Sequence, residues 1–124
     1  MPVDLRYDRE KKILYATVNE KLLQNEIANV FEEITNSDDY PPDVAVLWDA
    51  RTMNVLSANR QYEIDLIKTR KKFPARGKSK VAIIVSSDLS FGLMRMYEMD
   101  TGDLPQNIMV FRNYNEGEQW LLGR

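Results

Sequence analysis

The side chains that could do chemistry in this chain are carboxylates, arginines, lysines and hydroxyls, because its 124 residues include no histidine and no cysteine. Triads with an imidazole base, thiol nucleophiles and thiolate or imidazole metal sites are thereby excluded, and only carboxylate metal sites are left. The carboxylate pairs do not fill the gap. Glu32 and Glu33, like Asp38 and Asp39, are neighbours in sequence, so their side chains diverge on a helix or in a loop. Asp100 and Asp103 flank Gly102 in the composition of a turn. No catalytic or metal-holding constellation emerges, and no cofactor is implied. The expectation is a protein that binds and does not catalyse.

The polar residues best placed for binding follow an apolar run. Residues 43–51 read Asp-Val-Ala-Val-Leu-Trp-Asp-Ala-Arg, with five apolar residues before Asp49. Such a run lacks the alternation of a half-wetted strand and predicts a central parallel strand covered on both faces, whose carboxyl end delivers Asp49 and Arg51. In open α/β sheets that edge is where ligands bind. Asp49, Arg51 and, from a later helix, Arg95 are therefore candidates for holding a small anion or a ligand headgroup. The competing reading is that Asp49 braces the following turn and Arg51 pairs with it. Thr52 and Ser57 add hydroxyls that could receive phosphate near a helix start, although Ser57 equally suits a plain helix cap.

Charge offers one more feature. Seventeen basic and nineteen acidic residues give a net charge of −2, so no bulk field argues for nucleic acid. Within it, Lys68, Arg70, Lys71, Lys72, Arg76, Lys78 and Lys80 crowd into positions 68–80. This segment either grips phosphate-bearing partners or is a solvated helix end whose cations complement the dipole. Exposed aromatics that would favour single-stranded nucleic acid are missing from it, Phe73 lying on an apolar stripe. Gly77-Lys78-Ser79 does not make a phosphate loop, because the motif's first glycine would fall on Lys72 and the segment runs into a strand.

The elements that must position these residues follow from periodicity. Val3, Leu5 and Tyr7 alternate with polar residues, and 12–18 return after a three-residue turn, predicting an antiparallel hairpin. A helix over about 24–35 carries Ile27, Val30, Phe31 and Ile34 on one stripe. The central strand comes next, then a helix over about 58–73 with Tyr62, Leu66 and Phe73 inward. Residues 81–85 and 108–111 read as two more buried strands, separated by a third helix over about 89–101. A short last helix is expected to open at Asn115 with Glu118 as its reciprocal cap. The order is β-β-α-β-α-β-α-β-α in one domain spanning 1–124. No apolar run reaches the roughly 18 residues of a membrane helix, which places the protein in the cytoplasm.

The third helix is apolar over more of its circumference than a core stripe requires. Phe91, Leu93, Met94, Met96, Tyr97 and Met99 leave only Arg95, Glu98 and Asp100 for water. Either the core is broad here, or the helix meets a second surface. The second case predicts a homodimer through this helix, or a cover over an apolar ligand, methionine being suited to adaptable contacts.

Taken together, Leu47-Trp48-Asp49-Ala50-Arg51 at the end of the central strand, Lys80-Val81-Ala82, Gly92-Leu93-Met94-Arg95-Met96 and the terminal segment 111–121 resemble the STAS-like domains, most closely their SpoIIAA-like branch. The resemblance implies an α/β fold with a mixed sheet of about five strands and four helices. It also implies a bacterial regulatory module that works through protein–protein contacts with an unidentified partner. The alternative it allows, through the related CRAL-TRIO domains, is carriage of a small apolar or lipid-like ligand whose polar end Arg51 or Arg95 would hold. One departure matters. Anti-sigma antagonists of that family carry a phosphorylated serine in the turn after the central strand, where this chain has Ala50 and Arg51.

Overall fold

The computed structural model describes residues 3–19, 24–41, 43–52, 60–73, 77–102 and 104–123. Ser57, Arg76 and Asp103 fall outside these residues, as does the side chain of Tyr62. The described elements run β1 (Val3–Asp8), β2 (Ile13–Val18), α1 (Gln24–Asn36), β3 (Ala45–Asp49), α2 (Arg60–Lys71), β4 (Lys80–Ile84), α3 (Asp88–Asp100), β5 (Asn107–Phe111) and α4 (Tyr114–Leu121). They form a five-stranded sheet in the order β1-β2-β3-β4-β5. Only the β1–β2 pair is antiparallel, and β2, β3, β4 and β5 run parallel.

The hairpin is tighter in its chemistry than its sequence suggests. Its turn spans four residues, because Lys12 adopts a left-handed φ of 59° and joins the turn instead of β2. The Asp8 carboxylate accepts hydrogen bonds from the amides of Glu10 and Lys11, both at 3.0 Å, and Lys12 N donates to Asp8 O at 2.8 Å. An aspartate that binds its own turn thus takes the place of an Asn-Gly signal.

Burial on both faces explains the apolar runs. Val46, Trp48, Val81, Ile83, Ile108 and Val110 point to one face, where they meet Ile27, Phe31 and Ile34 of α1, Leu66 of α2, and Met94 and Tyr97 of α3. Leu47, Ala82 and Ile84 point to the other, where Leu121 of α4 covers them. Each such large side chain stabilises the fold by about 1.5–3 kcal/mol.

Local signals fix the helix ends. Ser87 caps α3, its hydroxyl accepting from Ser90 N at 3.1 Å, and Thr101 Oγ1 closes the helix by donating to Glu98 O at 2.7 Å. Glu98 also ties α3 to the sheet edge, since its Oε2 accepts from Val110 N of β5 at 2.9 Å. The cap of α4 is Asn113, two residues before the expected Asn115, and its Oδ1 accepts from Glu116 N at 3.0 Å. The spacing of three that Asn115 and Glu118 share is shared equally by Asn113 and Glu116. Glu118 has other work, described below.

α4 approaches the sheet closely at Gly117. A Cβ there would stand 2.5 Å from Ile84 Cδ1 and 3.2 Å from the Phe111 ring. Ile84 is fully buried, so its side chain must shift within a packed core to admit the added group. Gly117→Val is expected to destabilise the protein by about 1–3 kcal/mol through overpacking, offset little by valine's modest helix propensity. Urea unfolding of the two proteins measures it; an unchanged midpoint would mean that α4 can lift without cost.

Candidate functional site

Three polar constellations lie around the sheet. At the carboxyl end of β3, on the α4 face, Arg51 forks onto Asp49. Arg51 Nε donates to Oδ1 and Nη2 to Oδ2, both at 2.8 Å, and Arg51 N donates to Oδ1 at 3.2 Å. This bidentate pair holds the Asp49 carboxyl below its ordinary range, the Arg51 side-chain hydrogen bond being the main cause against a smaller opposing effect of burial. The guanidinium also lies 5.0 Å from the Tyr114 ring centroid. Ser86 Oγ donates to Arg51 O, and Thr52 Oγ1 donates to Val18 O at 2.9 Å, which ties the turn after β3 to the end of β2. Arg95 is elsewhere, paired with Glu98 at 3.0 Å on α3. So Asp49, Arg51 and Thr52 are brought together as a braced turn, and Arg95 does not join them.

Further along the same face, the Tyr15 hydroxyl donates to Glu118 Oε2 at 2.6 Å. Burial, followed by this bond to a carboxylate, raises the phenol far above its usual range. Lys11 Nζ lies 3.7 Å from the same carboxylate, and Arg6 stacks 4.3 Å from the Tyr15 ring centroid. Every charge in this group has an opposite or aromatic neighbour, and the arrangement locks α4 to β2.

The third constellation differs because its charge has no counterpart among the described residues. A cavity of about 60 Å³ lies beneath the carboxyl ends of β2, β3 and β4, on the face covered by α1, α2 and α3. Val18, Trp48, Ala50 and Ile83 of the sheet form its roof; Ile27 and Phe31, Leu66, and Met94 supply the helical walls. Among these apolar side chains sits Arg70 of α2, only 6% exposed. Its Nε donates to the hydroxyl of Tyr97. The guanidinium lies 4.8 Å from the Phe31 ring centroid and 5.9 Å from that of Tyr97. No carboxylate among the described residues pairs with it, and its terminal nitrogens make no other hydrogen bond there. Trp48, in the same lining, buries its Nε1–H without an acceptor.

Magnitudes show how unusual this is. Withdrawing a charge from water costs several kcal/mol, and a partly desolvated cation–π contact returns about 0.5–2 kcal/mol. The orphan indole N–H adds a penalty of about 1–3 kcal/mol. Sequence reading places Arg70 in the basic segment with Lys68, Lys71 and Lys72, which are exposed or outward on the helix end. The distinguishing signal is spacing: Arg70 stands four after Leu66 and three before Phe73, on the apolar stripe.

α3 divides into two faces. Met94 and Tyr97 are 6% and 1% exposed and pack against the sheet, so they belong to the core and not to an external seam. Phe91 and Leu93 are half-buried. Leu89, Met96 and Met99 are exposed by 58%, 47% and 74%. With Leu93 they follow helical spacing along one outward strip.

Among the described residues no group of three or more acidic, histidine or cysteine side chains could hold a metal ion, and no helix is long and apolar enough to cross a membrane. The hairpin, the β-α alternation and a mixed sheet with one helix on its second face define a SpoIIAA-like α/β fold. A solved structure has the same architecture: an uncharacterised protein of the DUF3478 family from Shewanella loihica PV-4, described as having a SpoIIAA-like fold, superposes with a TM-score of 0.63 at 17% identity, covering 96% of this chain and 91% of that one. No family model and no curated protein matches the sequence.

Because the Asp49 carboxyl is held below its ordinary pKa of 3.8, its contribution is present above that value and lost as pH falls through the lower, folded one. The pair is partly exposed, so Asp49→Asn is expected to cost no more than about 1 kcal/mol at neutral pH. The difference should shrink between neutral pH and about pH 2.5, below the ordinary carboxylate range, as the folded-state carboxyl begins to take up its proton. Urea unfolding at the two pH values checks this, and a difference that persists undiminished in acid would assign Asp49 a role other than its ion pair.

Proposed function

We propose that this protein is a binding module, without a catalytic step, whose ligand enters the cavity between the sheet and α1, α2 and α3 and is met there by Arg70. The observation that carries this reading is the buried guanidinium with no carboxylate beside it among the described residues. A residue kept only for stability would not be an arginine here, since apolar side chains of similar volume replace buried charges at no cost or with a gain. The position also suits a ligand site, at the carboxyl ends of the parallel strands. The SpoIIAA-like fold supports a module of this architecture and leaves the choice of ligand to the site.

The reading separates stability from binding. The double substitution Arg70→Met with Tyr97→Phe removes both partners of the buried hydrogen bond, and its stability is expected to lie within about 1 kcal/mol of the parent or above it. Ligands found by thermal shift with the parent protein should no longer bind. A loss of 3 kcal/mol or more, on the order of that for breaking a buried pair, would make Arg70 a structural residue and overturn the proposal.

A second reading rests on α3. The outward strip of Leu89, Leu93, Met96 and Met99 favours self-association across this helix, because exposed apolar side chains that are contiguous mark contact surfaces more often than scattered ones do. The expected state by light scattering is a homodimer, converted to monomer by Met96→Lys with Met99→Lys. A monomer at about 100 µM, a concentration that populates even micromolar dimers, would remove this reading and leave the first untouched.

A further inference from the structure

We infer that the ligand of the Arg70 cavity is a small monocarboxylic acid with a short apolar body. This rests on the reading of the cavity as a ligand site and goes on to name its chemistry. The polar side-chain groups that line the cavity are those of Arg70 and Tyr97. The terminal nitrogens of Arg70 have only N–H groups to offer. The Tyr97 oxygen already accepts from Arg70 Nε, and its hydroxyl hydrogen is left to donate. A ligand that matches this set brings acceptors, and the guanidinium disfavours a cationic amine.

Charge narrows the class further. Among the described residues one guanidinium is buried in the lining with no second cation and no carboxylate, so one negative charge is balanced and a second would be left desolvated. A planar carboxylate presents two oxygens to the Arg70 fork, a geometry that suits bidentate pairing, whereas a phosphate dianion brings surplus charge. The remainder of the lining is hydrocarbon and aromatic, which calls for an apolar body. Size sets its length. The cavity of about 60 Å³ is well below the roughly 150 Å³ that takes up benzene, so an aliphatic acid of two or three carbons, smaller than benzene, suits it better than an aromatic or long-chain acid.

Titration of the 15N-labelled protein with propionate, followed by amide and indole resonances, tests this. Propionate is expected to shift the Trp48 indole N–H and the amides of Ala50 and Met94 in a saturable manner. It should bind at least about tenfold more tightly than propionamide, which has the same shape without the charge. Octanoate, benzoate and inorganic phosphate should each bind more weakly than propionate. In Arg70→Gln the preference for propionate over propionamide should disappear. Equal binding of propionate and propionamide to the parent protein would overturn the carboxylate inference while leaving the cavity a ligand site, and so would tighter binding of octanoate or phosphate. Shifts at none of the cavity residues with any of these compounds would overturn both the inference and the reading beneath it. The comparison of acid with amide uses the unaltered protein, so it stands even if Arg70→Gln fails to fold.

Discussion

The strand β3 has water on neither side, and the arrangement of the molecule follows from that. Val46 and Trp48 require cover on one face, and Leu47 requires it on the other. Three helices meet the first demand and α4 meets the second. Parallel neighbours on both sides complete the shielding, since β2 and β4 flank the strand in the same direction. A strand covered in this way opens to solvent only at its ends. Its carboxyl end is therefore where polar side chains can gather without being forced into hydrocarbon, and the chain places polar groups on both faces there.

The two faces handle their charges differently. On the α4 side, Arg51 is matched by Asp49, and the Tyr15 hydroxyl by Glu118. Such closed sets hold elements in place, and there is little left in them for a ligand to satisfy. On the other side, Arg70 is held in position by Tyr97 and by the Phe31 ring, and its terminal nitrogens find no acceptor among the described residues. A guanidinium fixed through Nε keeps its outer fork oriented, and an oriented fork loses little freedom when an anion arrives. That contrast between satisfied and unsatisfied polar groups, more than the size of any cleft, distinguishes the candidate site from the bracing around it.

Most of the architecture is readable from residue patterns. The unbroken apolar runs at 44–48 and 81–85 announce buried strands, and the stripe of Ile27, Phe31 and Ile34 announces a helix, because burial on one or two faces leaves a period in the sequence. Caps are less determinate. Asn113 with Glu116 and Asn115 with Glu118 have the same spacing, and the choice between them was made by Gly117, which lets the helix settle against Ile84 and Phe111, and by Tyr15, which engages Glu118. These contacts lie far apart in sequence. The site was the least legible part. Arg70 is surrounded by lysines that belong to a wet helix end, and only its place on the stripe with Leu66 and Phe73 distinguishes it. Met94 and Tyr97 likewise read as members of one broad apolar helix until the sheet shows which side it claims.

One contact at the margin of the fold bears on how this protein can meet others. Sheets with an open side recruit extended segments by offering unpaired main-chain donors, the route by which many domains capture peptides and by which aggregates grow. β5 is such a margin, and the Glu98 carboxylate occupies the amide of Val110, itself steadied by Arg95. An incoming strand would have to evict a charged side chain from its ion pair before it could begin to zip. Recognition by strand addition is thus discouraged along β5, and contacts on that flank are left to side chains presented by helices.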